Sequence, residues 1–265
     1  LKELNLLDKF LFDEAMDDPE NVKTMLDIIL SQNTNLKHPP QTEKEQRTST
    51  DNRQIRLDVY AIDEDDVIYE VEAQKENTHN LPKRSRLYQG IIDSKLLPPG
   101  VVDFNLLNEV LIVLIMPFDL FGYGLYRYTF QMKCEEVPEL KLDDGATRIF
   151  LNTRGKHPEL VSPELIELLK YMEHSTDEIS EACESKRIQE MHRRVCQIKA
   201  SEKAEVKYMQ TWEEKILIKQ EGERIGLERI NRLNQKLIEQ GRFDDLTKAT
   251  SDSSYQEKLL KEFKI

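Results

Sequence analysis

Two neighbouring stretches decide the fold: Arg56-Leu-Asp-Val-Tyr-Ala-Ile62 and, after a short acidic turn, Val67-Ile-Tyr-Glu-Val-Glu-Ala-Gln74. Ile55, Leu57, Val59 and Ala61 are apolar at alternate positions, and so are Val67, Tyr69, Val71 and Ala73. Such alternation marks strands with one buried face. A hairpin whose apolar faces coincide pairs Leu57 with Ala73, Val59 with Val71 and Ala61 with Tyr69, leaving Glu64, Asp65 and Asp66 as the loop. The same register sets Asp58 opposite Glu72 on the other face, and Arg56 opposite Gln74.

Like charges directly opposite on neighbouring strands are destabilising. Either one carboxylate has a raised pKa or a cation sits between the two. Carboxylate oxygens with waters completing the shell describe a Mg²⁺ site, and such an ion can activate water and stabilise charge on a phosphoryl group. A solvated polar face accounts for the spacing too, so the spacing alone leaves both readings open.

Around this hairpin the chain of 265 residues has room for one large domain, or for a smaller one with an appendage. Hydrophobic content is 38% and charged content 33%, so the excess charge is concentrated somewhere. A net charge of −12 argues against coating nucleic acid by bulk electrostatics, while a local basic patch can still hold a phosphate backbone. Cys134, Cys183 and Cys196 show no metal-type spacing, and their odd number argues against a disulfide framework. The five histidines are scattered without ligand spacing, so no zinc site is expected. Leu1-Lys-Glu-Leu-Asn-Leu-Leu-Asp8 carries acids and no apolar core, and the apolar run Val110 to Pro117 is too short to cross a bilayer. A cytoplasmic protein without a membrane partner is the expectation.

Residues 4–30 read as one or two helices, with Pro19 in a first turn and Val22, Leu26, Ile29 and Leu30 on one stripe. Residues 31–52 are polar and predict a loop with one edge strand. After the hairpin comes a helix over 82–97, ended by Pro98-Pro-Gly100. Glu109 to Met116 is continuously apolar after its first residue and predicts a central strand buried on both faces. Strands follow over 126–132 and 147–152. Ser162 and Pro163 are N-cap and first-turn residues of a further helix. From about residue 175 the pattern is helical and densely charged, and Ile230, Leu233 and Leu237 form a short seam wide enough for a partner helix. A helix pair over 243–263 closes the chain.

Helix, hairpin bearing Asp and then Glu-x-Gln, helix and strand is the layout of the PD-(D/E)XK nucleases. Further segments resemble one branch, the recombination-promoting nuclease group, or PD-(D/E)XK nuclease family transposases. They are Leu81-Pro-Lys-Arg-Ser-Arg-Leu-Tyr-Gln89, Ile91-Ile-Asp93, Asp119-Leu-Phe-Gly122, Leu125-Tyr-Arg-Tyr-Thr-Phe130, Asp144-Gly145, Phe150-Leu-Asn-Thr-Arg-Gly155 and Val161-Ser-Pro-Glu-Leu165. The resemblance implies a restriction-endonuclease-like α/β domain over residues 1–160 and a charged helical tail over 161–265 that joins copies of the chain into a homo-oligomer. It implies Mg²⁺-dependent (or Mn²⁺-dependent) cleavage of DNA, linked to recombination and mobile elements.

Carried over by position, Asp58, Glu72 and Gln74 are the catalytic residues, with Asp58, Glu72 and the Ala73 carbonyl holding the metal. Gln74 stands where the parent motif has lysine; it can orient water but carries no charge and takes no proton, so turnover is expected to be modest. Two candidates exist for an acid on the first helix, Asp13 and Glu20. Lys83, Arg84 and Arg86 would position phosphate, with Tyr88, Gln89 and Asp93 around them; a solvated basic face is the plainer reading. Lys186, Arg187, Arg193 and Arg194 share a helix face that suits ion pairing better than DNA. Two rival functions remain: a catalytically weak DNA- or protein-binding module of a mobile element, and an oligomeric scaffold.

Overall fold

The apolar run over 110–116 forms the centre of the sheet, as its composition requires. Strand β4 (Val110–Met116) pairs in parallel with β3 (Ile68–Ala73) on one side and with β6 (Ala146–Asn152) on the other. In this computed structural model residues 1–46 and 55–265 are described, apart from the side chains of 46, 55 and 56. The sheet has six strands in the order β1-β2-β3-β4-β6-β5, where β1 is Gln41–Gln46, β2 is Ile55–Ile62 and β5 is Arg127–Phe130. β1/β2, β2/β3 and β5/β6 are antiparallel, so the sheet is mixed.

Helices cover both faces. On one, Val59, Ala61, Tyr69, Val71, Val113 and Ile115 pack with Leu11 of α1 (Lys9–Met16), Met25 of α2 (Pro19–Leu30), Leu168 of α4 (Pro163–Glu173) and Met191 of α6 (Lys186–Lys199). On the other, Tyr60, Ile68, Ile112, Leu114 and Phe150 pack with Leu81, Tyr88 and Ile91 of α3 (Leu81–Asp93). Helix α3 joins β3 to β4, which is what a parallel neighbour pair demands. The expected cap forms, with Ser162 accepting from the Leu165 amide, and Asp18 caps α2 by accepting from the Glu20 amide.

The chain divides into two compact units, Leu1–Glu205 and Val206–Ile265. The first runs well past residue 160, where the resemblance implies a boundary. The reason is packing: α4, α6 and the short α5 (Asp177–Ala182) bury Leu169, Ile188 and Val195 in the same core as the sheet. Charge density on their outer faces concealed that stripe.

Helix α7 (Glu202–Glu239) ends at Gly241, whose φ of 69° suits a residue without a Cβ; the Arg242 amide bonds back to the Leu237 carbonyl at 2.8 Å. In the second unit Leu233 and Leu237 are fully buried against Ala249 of α8 (Phe243–Ser251) and Leu259 of α9 (Ser253–Glu262). The seam read from sequence as a place for a partner helix is thus covered by the chain's own closing pair. Among the described residues no helix is long and apolar enough to cross a membrane.

Candidate functional site

Pairing between β2 and β3 runs from Ile62–Ile68 through Ala61–Tyr69 and Tyr60–Glu70 to Val59–Val71, the register that the apolar alternation predicts. Asp63 closes the turn, accepting from the amides of Asp65 and Val67 at 3.0 and 2.9 Å and from the Tyr69 hydroxyl at 2.7 Å. The ladder ends at Val59–Val71. Beyond it β2 stays with β1 and β3 stays with β4. Alternation is broken at this fork. Leu57 belongs to the α3-side cluster while Val59 belongs to the other, and Asp58 meets α1, on the same side as Val59. Glu43, which follows Thr42 in the β1 register, has a φ of 48°. The expected shared face of Leu57 and Val59, and a ladder pair of Asp58 with Glu72, are therefore corrected. A pleat argument holds only while the pairing continues. The expected Arg56–Gln74 pair falls on a side chain outside the described set.

The chain supplies cations to these acids from two helices. Lys9 on α1 donates to Asp58 Oδ1 at 2.5 Å and lies 3.1 Å from Asp13 Oδ2 and 4.0 Å from Glu43. Arg84 on α3 donates through Nη2 to Glu72 Oε1 and to Gln74 Oε1. Even so, the carboxyls are held above their usual range. Burial raises Asp58, with Lys9 and Arg84 opposing. Burial raises Glu72 to about 7 against Arg84, with Asp58 adding to the rise. Asp13 also rises to about 7, from burial against the pull of Lys9. Glu70 lies well above its ordinary value because it is buried and shares the site with Glu72 and Asp58.

Polar atoms without a partner gather here. Both carboxyl oxygens of the fully buried Glu70, Glu72 Oε2, Arg84 Nε and Gln89 Oε1 are buried and accept or donate nothing. Unpaired buried polar atoms are costly and rare, and this neighbourhood holds most of those found among the described residues. An all-oxygen donor set with an unpartnered carboxylate oxygen fits a hard divalent cation that keeps several waters. The fork acids do not close into a set of three carboxylates, so an ion here would rest on two of them with the remaining positions filled otherwise.

Around this pair the sequence-predicted residues divide. Ala73 is buried between Glu72 and Gln74 and pairs with Ile115. Gln74 donates to the Glu76 carbonyl at 2.5 Å. Of the basic trio only Arg84 turns to the acids; Lys83 and Arg86 are exposed. Tyr88 is buried with Arg84 5.9 Å from its ring centre, and burial raises its hydroxyl pKa. Gln89 donates to Asp93 at 2.9 Å, so these two hold each other. Of the two first-helix candidates Asp13 reaches the site through Lys9, whereas Glu20 sits exposed in the first turn of α2. Lys9 and Glu70 were not singled out by sequence. Glu70 had a signal, a second acid two residues before Glu72 on the same strand; Lys9 had none. On α6, Arg187 pairs with Glu164 at 2.5 Å, Arg194 with Asp18 at 3.5 Å and Arg193 with Glu190 at 3.7 Å, as ion pairing predicts.

Comparisons with protein-family models, with curated proteins and with solved structures found no match to this chain.

Proposed function

We propose that this chain is a metal-dependent DNA endonuclease of the PD-(D/E)XK type, with a restriction-endonuclease-like core, tied to recombination or mobile elements. The observation that carries the reading is the fork itself. Glu70 and Glu72 stand two residues apart on β3 where it parts from β2, within reach of the Asp58 charge, and the neighbourhood contains buried oxygens with no partner. A fold seeking only stability has no use for that arrangement. Asp58 and Glu72 would hold Mg²⁺ or Mn²⁺, with the Ala73 carbonyl as the resemblance implies. When bound, the ion supplies Lewis-acid charge and an acidified water. The protein's own residues do the rest. Arg84 orients Glu72 and Gln74 by donating to both, Lys9 neutralises Asp58 and Asp13, and Lys83 and Arg86 remain outside to meet phosphate.

One observation favours the weaker alternative, a DNA- or protein-binding module with little turnover. Both ends of the Gln74 amide are engaged, by Arg84 and by the Glu76 carbonyl. Plasmid nicking with Mg²⁺ decides between them. The nuclease reading expects nicking by the wild type that is lost in Asp58→Ala; equal activity in both, or none in either, removes it. Self-association through the tail uses exposed apolar groups such as Met209, Trp212 and Ile218 of α7 rather than Leu233 and Leu237. Light scattering that finds a strict monomer removes that part.

A further inference from the structure

Away from the fork, a carboxylate and a thiol converge on one imidazole nitrogen, giving three potential metal ligands of different types. His192 and Cys196 are one turn apart on α6, and Asp177 is the first residue of α5. His192 Nε2 lies 2.8 Å from Asp177 Oδ1 and 3.3 Å from Cys196 Sγ, and Sγ lies 3.8 Å from Oδ1. The other nitrogen, Nδ1, is 3.0 Å from the hydroxyl of Tyr171, a fully buried residue whose ring stands edge-on to the imidazole. Among the described residues this is the one group of three or more His, Cys, Asp or Glu ligands that closes to within 4.8 Å. Neither histidine spacing nor cysteine spacing signals it, because the pair at helical spacing is mixed.

A Cys-His-Asp set can also be a nucleophile and its base, but that chemistry needs thiol and carboxylate on different ring nitrogens. Here Asp177 meets Nε2, Cys196 Sγ lies nearer to that same nitrogen (3.3 Å) than to Nδ1 (3.9 Å), and Tyr171 holds Nδ1. The edges suit a metal instead. Tetrahedral zinc with N, O and S bonds of about 2.0–2.3 Å separates its ligands by about 3.4 Å for N–O and about 3.6 Å for N–S and S–O. The observed 2.8, 3.3 and 3.8 Å reach those values by shifts of about half an ångström.

We propose that Asp177, His192 and Cys196 form a Zn²⁺-class transition-metal site that clamps α5 to α6 and leaves one coordination position open to solvent. Sulfur and imidazole donors select a borderline metal over Mg²⁺, so this site and the all-oxygen fork differ in the ion they take. Metal on Nε2 leaves the ring proton on Nδ1, where it donates to the Tyr171 oxygen and fixes the ring. Asp177 is largely exposed, so solvent reaches the fourth position.

Cobalt titration of the chelator-treated full chain tests the site. One equivalent of Co²⁺ should produce a thiolate-to-cobalt charge-transfer band in the near ultraviolet, which Zn²⁺ then displaces. Cys196→Ser should abolish the band, Asp177→Asn should weaken Co²⁺ binding about tenfold or more, and Glu72→Gln should leave the band intact. Zn²⁺ should raise the melting temperature of the wild type and not of Cys196→Ser, with circular dichroism checking that the variant folds. Absence of a saturable band, or a band that survives Cys196→Ser, overturns the proposal.

Discussion

On α4, Glu164 accepts from Arg187 and from Ser185 Oγ at 2.6 Å, and Glu173 accepts from Arg154 and from Thr153 Oγ1 at 2.5 Å. At the fork, Glu70 accepts from nothing and Glu72 keeps one oxygen idle. The consequences run in opposite directions. Burial pushes Glu164 and Glu173 up, but their partners outweigh it and hold both carboxyls below the ordinary range. At the fork burial wins in spite of Lys9 and Arg84. The α4 acids tie that helix to α6 and to the turn after β6 near solvent, where such pairs are worth little but cost little. The fork acids are deep, crowded and undersupplied with donors, and the proposed function rests on that difference.

The contrast can be broken most sharply by Glu72→Gln, which keeps the shape and removes the charge. Mg²⁺-dependent nicking should fall about a thousandfold or more, since several kcal/mol of charge stabilisation go with the ion. The Glu164→Gln protein should nick like the wild type, and equal losses in the two would end the distinction.

A smaller effect is the pH dependence of folding. Asp13 has an ordinary value of 3.8 and a folded value near 7, so the folded chain holds its proton more tightly. That contribution is complete below about pH 4 and is lost as pH rises through 7. Urea unfolding of wild type and Asp13→Asn without metal should differ by a slope worth of order 2–4 kcal/mol across that range. Parallel curves would mean that the carboxyl is not buried as described.

Glu70→Met should stabilise the first unit by about 1–3 kcal/mol at pH 8, because it replaces an unpartnered carboxyl in the core with an apolar side chain of similar size. Destabilisation would mean that Glu70 has a polar partner after all. Smallest of all, Glu164→Gln should cost under about 1 kcal/mol, since its pair with Arg187 is half-exposed. A much larger loss would make the α4 pairs structural in their own right.

Much of this was legible in the chain. Alternation over 59–61 and 67–71 set the paired part of the hairpin and its register, the run over 110–116 set the central strand, and Ser162-Pro163 set the start of α4. Each depends on short-range periodicity or on local hydrogen bonds, which a sequence carries openly. Asp58 and Glu72 stood out for the same reason. Lys9 did not, because it meets Asp58 across 49 positions. Nor did the boundary at Glu205, since the apolar faces of α4 to α6 lie among charged residues and show their purpose only when the sheet is beneath them.

What the sequence determined by itself, then, was which elements exist, the pairing of β2 with β3, and that acids would crowd near it. Only the tertiary structure decided how far that pairing runs, which cations answer the acids, which oxygens are left over, and that Asp177 comes to His192 and Cys196. The physical reason is common to all four. Pleat and helix periods act over a few residues, whereas burial and charge pairing depend on segments far apart in the chain that meet only when the core closes.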